Sequence, residues 1–174
     1  LRGAGLALFA GASPALVNPA VANFASKPAR SLAFDNLHTG EKLKVEYWTE
    51  GEYVPDALGE IDRVLRDFRT GDVHPIEPRL LDLLAMLRDR LETVEPLSVI
   101  SGYRSPKTNK TLHEASSGVA SNSLHMQGMA IDIRVPGRVL AAVHKTALEM
   151  RVGGVGYYPK SNFVHVDVGR VRKW

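Results

Sequence analysis

No cysteine occurs in this 174-residue chain, and that absence limits its folding more than any residue present. A disulfide framework, a thiolate nucleophile, a Cys-ligated zinc finger, an iron–sulfur cluster and a lipid-modified N-terminal cysteine are all closed to it. The fold must therefore be held by a hydrophobic core, and any metal by His, Asp or Glu. The length suits one domain large enough to bury such a core. With 44% hydrophobic and 24% charged residues, the chain is neither collagen, coiled coil nor low-complexity tail.

The N-terminal stretch reads as something other than fold. Residues 1–22 give a basic start at Arg2, an apolar run around Leu6–Leu16, and Ala20-Val21-Ala22 before Asn23. These are the three regions of a secretory signal. Gly3, Gly5, Gly11, Pro14 and Pro19 argue against a buried helix here. The apolar run falls short of the ~20 residues that a membrane span needs. The chain does not open on Met, so the basic region can be truncated, and an upstream twin-arginine pair is neither shown nor excluded. Residues 23–31 read as a linker, the tether-like texture running on to Ala33, and 32–174 as the folded domain. The expectation is an exported, periplasmic protein with no stable membrane span after processing.

This reading changes the meaning of the charge. The chain carries 22 Lys+Arg against 19 Asp+Glu, a formal +3. Removing residues 1–22 takes away one arginine and no acid, so the excess nearly vanishes. No basic patch interleaved with aromatics is found, so nucleic acid is not an expected partner.

Ser31–Leu37 and Lys42–Trp48 flank His38-Thr39-Gly40-Glu41, and Leu43, Val45 and Tyr47 alternate with charged residues, which predicts a hairpin. Ile61, Val64, Leu65 and Phe68 lie on one stripe of a predicted helix over 55–70. Leu80, Leu83, Leu84, Leu87 and Leu91 do the same over 77–91. Leu97–Ser101 is a predicted buried strand, Lys107–Ala115 a short helix, Ser116–Ser123 a loop and Ala130–Val135 a strand. Pro136–Met150 reads as a helix, and two short strands follow at Val155–Tyr158 and Asn162–Val168. The order predicts an α+β single domain with helices packed on a small antiparallel or mixed sheet.

The chemistry concentrates in Ser123-Leu-His125-Met-Gln-Gly128-Met-Ala-Ile-Asp132 and, about thirty residues later, Phe163-Val-His165-Val-Asp167. A loop folding back at Gly128 can bring His125 and Asp132 together, and a neighbouring strand can supply His165. Two imidazoles and a carboxylate with a free fourth position suit catalytic zinc, which with one carboxylate keeps a net positive charge. On spacing alone the signal is weak. Asp132, placed among Ala130, Ile131 and Ile133, needs a partner if buried, but backbone N–H groups in a turn would serve as well as a metal. His38 falls in a turn, His74 in a Pro-flanked loop and His144 on a helix surface; His113 is a weak candidate.

Ser101-Gly-Tyr-Arg-Ser105, Ser-x-His-x-x-Gly-x-Ala-x-Asp at 123–132 and the late His165 resemble the D-Ala-D-Ala metallopeptidase group, with its VanX dipeptidase, phage endolysin and hedgehog zinc-fold relatives. Asn36–Gly40, Ile100–Ser105, Gly118–Ala120, Gly153–Pro159 and Asn162–Asp167 resemble more closely the murein endopeptidase K type of exported enterobacterial protein. This resemblance runs from about Leu32 to Trp174. It implies a zinc hydrolase with one Zn²⁺ per chain, held by His125, Asp132 and His165. It implies peptidoglycan stem peptides as partners, including a cross-link that joins two diaminopimelate residues. Arg104 matches the catalytic arginine that such enzymes place near substrate, either to hold a carboxylate or to stabilise a developing oxyanion through its fork of donors. Ser123 is expected to orient the metal loop; Tyr103, Tyr157 and Tyr158 are candidates for the surroundings of the metal or substrate.

The general base departs from the better-known branches, which place Glu three residues before the last ligand or His two before it. Those slots are Asn162 and Phe163 here. Asp167 is the nearest candidate base, with a partner for a ligand imidazole as its alternative role. Two other readings stay open: a D,D-carboxypeptidase or dipeptidase, and a catalytically silent zinc scaffold that binds wall. Oligomeric state is not legible.

Overall fold

In the computed structural model, residue 24, residues 26–116 and residues 118–174 are described; the expected signal segment lies outside them. The alternation around His38–Glu41 forms the predicted hairpin, β1 (Ala29–Asn36) paired antiparallel with β2 (Lys42–Thr49). β1 begins inside the stretch expected to be linker. There Arg30 donates to Asp82 (2.9 Å), its guanidinium lying between the Phe24 and Trp48 rings at 4.3 and 4.0 Å. Residues 29–31 are thus sheet, held by cation–π contacts and an ion pair rather than by apolar side chains. A two-residue strand, β3 (Glu52–Tyr53), adds to β2.

Proline opens each of the next three helices, where a missing N–H costs nothing: α1 (Pro55–Val64), α2 (Pro78–Arg90) and, after β4 (Leu97–Ser101), α3 (Pro106–Ala115). α1 stops short of the predicted 70 because Asn36 Nδ2 takes the Val64 carbonyl (2.8 Å). Phe68 then turns away to stack on His38 at 3.9 Å. A 3₁₀ turn at Leu124–Gln127 leads into β5 (Ala130–Arg134). α4 covers Leu140–Met150, not 136–150, because Gly137 takes a left-handed φ of 72°. β6 (Gly154–Tyr158), β7 (Phe163–Asp167) and the unforeseen β8 (Arg172–Lys173) complete the chain.

The strands make one mixed sheet in the order β3-β2-β1-β4-β5-β7-β6-β8, parallel at β1/β4 and β6/β8 and antiparallel elsewhere. The α+β expectation holds. Strand alternation gives the sheet two faces. One carries Leu32, Phe34, Leu97, Ile131, Ile133 and Val164 into a core with the apolar stripes of α1, α2 and α4. The other face carries Asp132, His165 and Asp167, because Asp132 pairs with His165 and Ala130 with Asp167 across β5/β7.

The connection from β4 to α3 is pinned at successive backbone positions. Tyr103 N–H donates to Leu65 O (2.8 Å), Arg104 N–H to His125 O (3.2 Å) and Ser105 N–H to Asp67 (2.9 Å). Asp67 is 1% exposed. Burial pushes its carboxyl up, but bonds from Thr108, Ser105 and the Arg69 amide outweigh burial and hold it at about 2. An unfolded Asp titrates at about 3.9, so this carboxylate stabilises the fold fully above that value and the contribution is lost as pH falls toward about 2. We predict that Asp67→Asn is less stable than the native chain at neutral pH and that the gap narrows below about pH 4. Urea unfolding at stepped pH checks this; a constant gap contradicts it.

Candidate metal centre

Two loops and two strands deliver the cluster. Ser123 caps the 3₁₀ turn, its Oγ accepting from His125 N–H (3.3 Å). Gly128 ends that turn with φ 66° and lies so close to the Pro75 carbonyl that a Cβ would overlap it. This reverses the chain into β5 and sets His125 above Asp132. A register shift in β4 between Val99 and Ser101 brings Ser101 opposite Asp132, which turns Gly102 O toward the turn. His125 Nδ1 donates to that carbonyl at 2.7 Å.

His125 Nε2, His165 Nδ1 and Asp132 Oδ1 then meet. The separations are 3.2 Å between the rings, 2.8 Å from His165 to Asp132 and 3.3 Å from His125 to Asp132. A four-coordinate zinc with bonds of about 2.0–2.1 Å needs ligand atoms about 3.3–3.4 Å apart, close to this triangle. The proton positions point the same way. His125 Nδ1 must carry the hydrogen given to Gly102 O, and His165 Nε2 faces Asp167 Oδ2 at 3.1 Å. With those hydrogens so placed, the two remaining ring nitrogens can offer lone pairs beside a carboxylate oxygen, an acceptor set suited to a cation. The residues fit a metal, and these are the groups among the described residues that can hold one.

The electrostatics agree. Burial raises the Asp132 carboxyl, but His125 and His165 pull it well below the usual carboxylate range. Burial opposes charge on His165, yet bonds to Asp132 and Asp167 raise its pKa, so the site attracts positive charge.

Both Asp167 oxygens are engaged by donors. It is fully buried; besides His165 it accepts from Gly154 N–H (3.0 Å), Gly169 N–H (2.8 Å) and two Arg172 nitrogens (3.0 and 2.7 Å). Burial alone would raise its carboxyl, and these donors hold it well below the usual range. Asn162 lies in a turn and Phe163 stacks on Tyr158, with ring centroids 4.5 Å apart.

The cluster opens on a cavity of about 330 Å³. Arg104 lines it, 9% exposed, with Nη2 3.8 Å from Asp132 Oδ2 and Nη1 donating to Asn109 at 3.2 Å. Asn109 also donates to Ala120 O and Ser121 O (3.1 Å each), which ties the arginine to the loop over the cavity. Of the tyrosines, Tyr158 lines the cavity. Tyr157 stacks on His144 at 4.6 Å and Tyr103 on His74 at 4.7 Å, so neither is brought to the site. His113 holds Val119 O at 2.6 Å, at the margin of that loop. Arg172 and Trp174, on the unpredicted last strand and just past it, also line the cavity; their alternation about Lys173 was the one available signal.

A buried histidine–carboxylate–histidine centre at the floor of a cleft, on the polar face of an α+β sheet, is that of a metallopeptidase. The chain belongs to the family described as Peptidoglycan L,D-endopeptidase MepK (Peptidase_M15_2), whose model matches residues 24–174. It is 43% identical over 159 residues to the Peptidoglycan L,D-endopeptidase MepK of Escherichia coli (strain K12), covering 91% of this chain and 87% of the relative. It is 41% identical over 160 residues to the Probable peptidoglycan L,D-endopeptidase MepK of Haemophilus influenzae, covering 91% and 86%.

Asp167→Asn keeps an acceptor for the two amides but removes the charge that faces His165. Removal of such a partner weakens metal binding about 10–100-fold. We expect that loss of zinc affinity, with the fold retained, in a chelator-competition titration; native affinity in the variant contradicts the orienting role.

Proposed function

We propose that this chain is an exported zinc peptidase that cleaves peptide cross-links between murein stem peptides, at the L,D type of bond named for its relatives. The observation that carries this reading is the convergence of His125 Nε2, Asp132 Oδ1 and His165 Nδ1 at the floor of a cleft lined by Arg104. Zinc held by these three atoms would supply Lewis acidity, which can polarise a scissile carbonyl and lower the pKa of water so that it yields a proton more readily. His125 is held for this task by Gly102 and Ser123, and His165 by Asp167.

Arg104 supplies charge and direction. Burial lowers its pKa and Asp132 partly offsets that, yet a guanidinium stays ionised. One of its five N–H donors is taken by Asn109, and the rigid fork is suited to a substrate carboxylate beside the scissile amide. Stem peptides are rich in such carboxylates, and this matches an arginine-bearing cleft better than a neutral peptide would.

Export is part of the proposal. Residues 1–22 have the three regions of a secretory signal, the family match begins at residue 24, and the relatives are named for a substrate that lies outside the inner membrane. Among the described residues, no helix is long and apolar enough to cross a membrane.

Digestion of isolated peptidoglycan, with the fragments separated, tests the reading. Cross-linked dimers should disappear. Since partners of metal ligands cost about 10–100-fold when removed, loss of a ligand in His125→Ala or Asp132→Ala should cost more than about 100-fold. Release of terminal D-alanine alone would favour a carboxypeptidase, and wall binding without released fragments a silent scaffold.

A further inference from the structure

The peptidase reading assigns a role to the metal ligands, to Asp167 and to Arg104, but not to the part of the cleft lined by Tyr158 and Trp174. That part is built on the polar face of the sheet. β7 pairs with β6 so that His165 faces Gly156 and Phe163 faces Tyr158. Residues 156 and 158 therefore share a face with the metal cluster. Gly156 leaves a gap beside His165, and the Trp174 indole fills it; a Cβ at 156 would come within 2.7 Å of that ring. The indole lies 5.1 Å from the His165 ring, and its Nε1–H donates to the Tyr158 hydroxyl at 2.7 Å.

Indole nitrogen can only donate, so the phenol oxygen is the acceptor in that bond and its own proton is directed elsewhere. Among the described residues no protein group receives it. Tyr158 lines the same cavity as the cluster and Arg104. Apart from His125, Asp132 and His165, no imidazole or carboxylate among the described residues lines that cavity. The phenol O–H is fixed by two neighbours: Trp174 through its N–H and Phe163 through ring stacking at 4.5 Å.

We propose that Tyr158 is a further catalytic residue, whose O–H donates a hydrogen bond to the scissile carbonyl oxygen, and that Trp174 is the positioning residue that aims it. The proposal rests on the peptidase reading. As a water oxygen bonds to the carbonyl carbon and sheds a proton to solvent, the C=O π pair moves onto the carbonyl oxygen. The phenol keeps its proton and strengthens its hydrogen bond as that charge grows. A donor fixed in place before reaction favours the transition state over the ground state. Its effect therefore belongs in kcat more than in KM.

Tyr158→Phe keeps the ring and its stacking and removes only the O–H. Loss of a single donor of this kind lowers kcat about 10²–10³-fold. We expect a fall of that order on cross-linked muropeptide dimers, with KM within about threefold of native and with zinc content and thermal stability unchanged. Trp174→Phe should give a smaller fall in kcat, and combining the two should add little to Tyr158→Phe alone. An active native enzyme beside a Tyr158→Phe variant of equal kcat, or one altered only in KM, overturns the proposal while leaving the peptidase reading intact. A native enzyme that leaves dimers uncut overturns both.

Discussion

The Asp132 carboxylate, buried between two imidazole lone pairs, is the interaction on which the rest of this structure depends. An ionised carboxylate so placed is costly unless positive charge meets it. Here that charge has two sources: the cation the three converging atoms are spaced to hold, and the guanidinium of Arg104 3.8 Å away. Much of the local architecture keeps those acceptors in place. The Gly128 reversal, the irregular β4/β5 register and the five-donor cage around Asp167 each fix one ring or one oxygen.

A single sheet can do this because its faces have separate tasks. Ile131, Ile133, Val164 and Val166 point into the helices, while Asp132, His165 and Asp167 alternate with them toward the cleft. The core that holds the fold is thus one residue away from the site in both β5 and β7. In a chain without cysteine, that apolar face is what makes the polar face rigid enough to preorganise a metal centre.

Much of this could be read from the residues. The stripes of Ile61, Val64 and Leu65 and of Leu80, Leu84 and Leu87 mark helices because burial is periodic, and Lys42–Trp48 marks a strand for the same reason. The metal triad was less legible. A His seven residues before an Asp says little until a turn and a strand register bring them together, so the resemblance of several motifs carried it. Asp167 and the tyrosines show where pattern stops. Strand parity places 165 and 167 on one face, but not the amides and Arg172 that close around the carboxylate. Tyr157 and Tyr158 are adjacent and opposite in facing, and only the pairing with Gly156–His165 tells which enters the cleft. Trp174 escaped because its place depends on a glycine eighteen residues earlier. Ala29–Ser31 have the texture of a tether because their anchorage is ionic and aromatic, through Arg30, and not a run of apolar residues.

The most direct measurement of the metal centre is to strip the purified protein with a chelator, return zinc in measured steps, and follow the cleavage of cross-linked muropeptide dimers. Activity should vanish on stripping and rise in proportion to zinc until one equivalent per chain is reached. A stripped, metal-free chain that still cleaves dimers at the native rate would contradict a mechanism built on His125, Asp132 and His165.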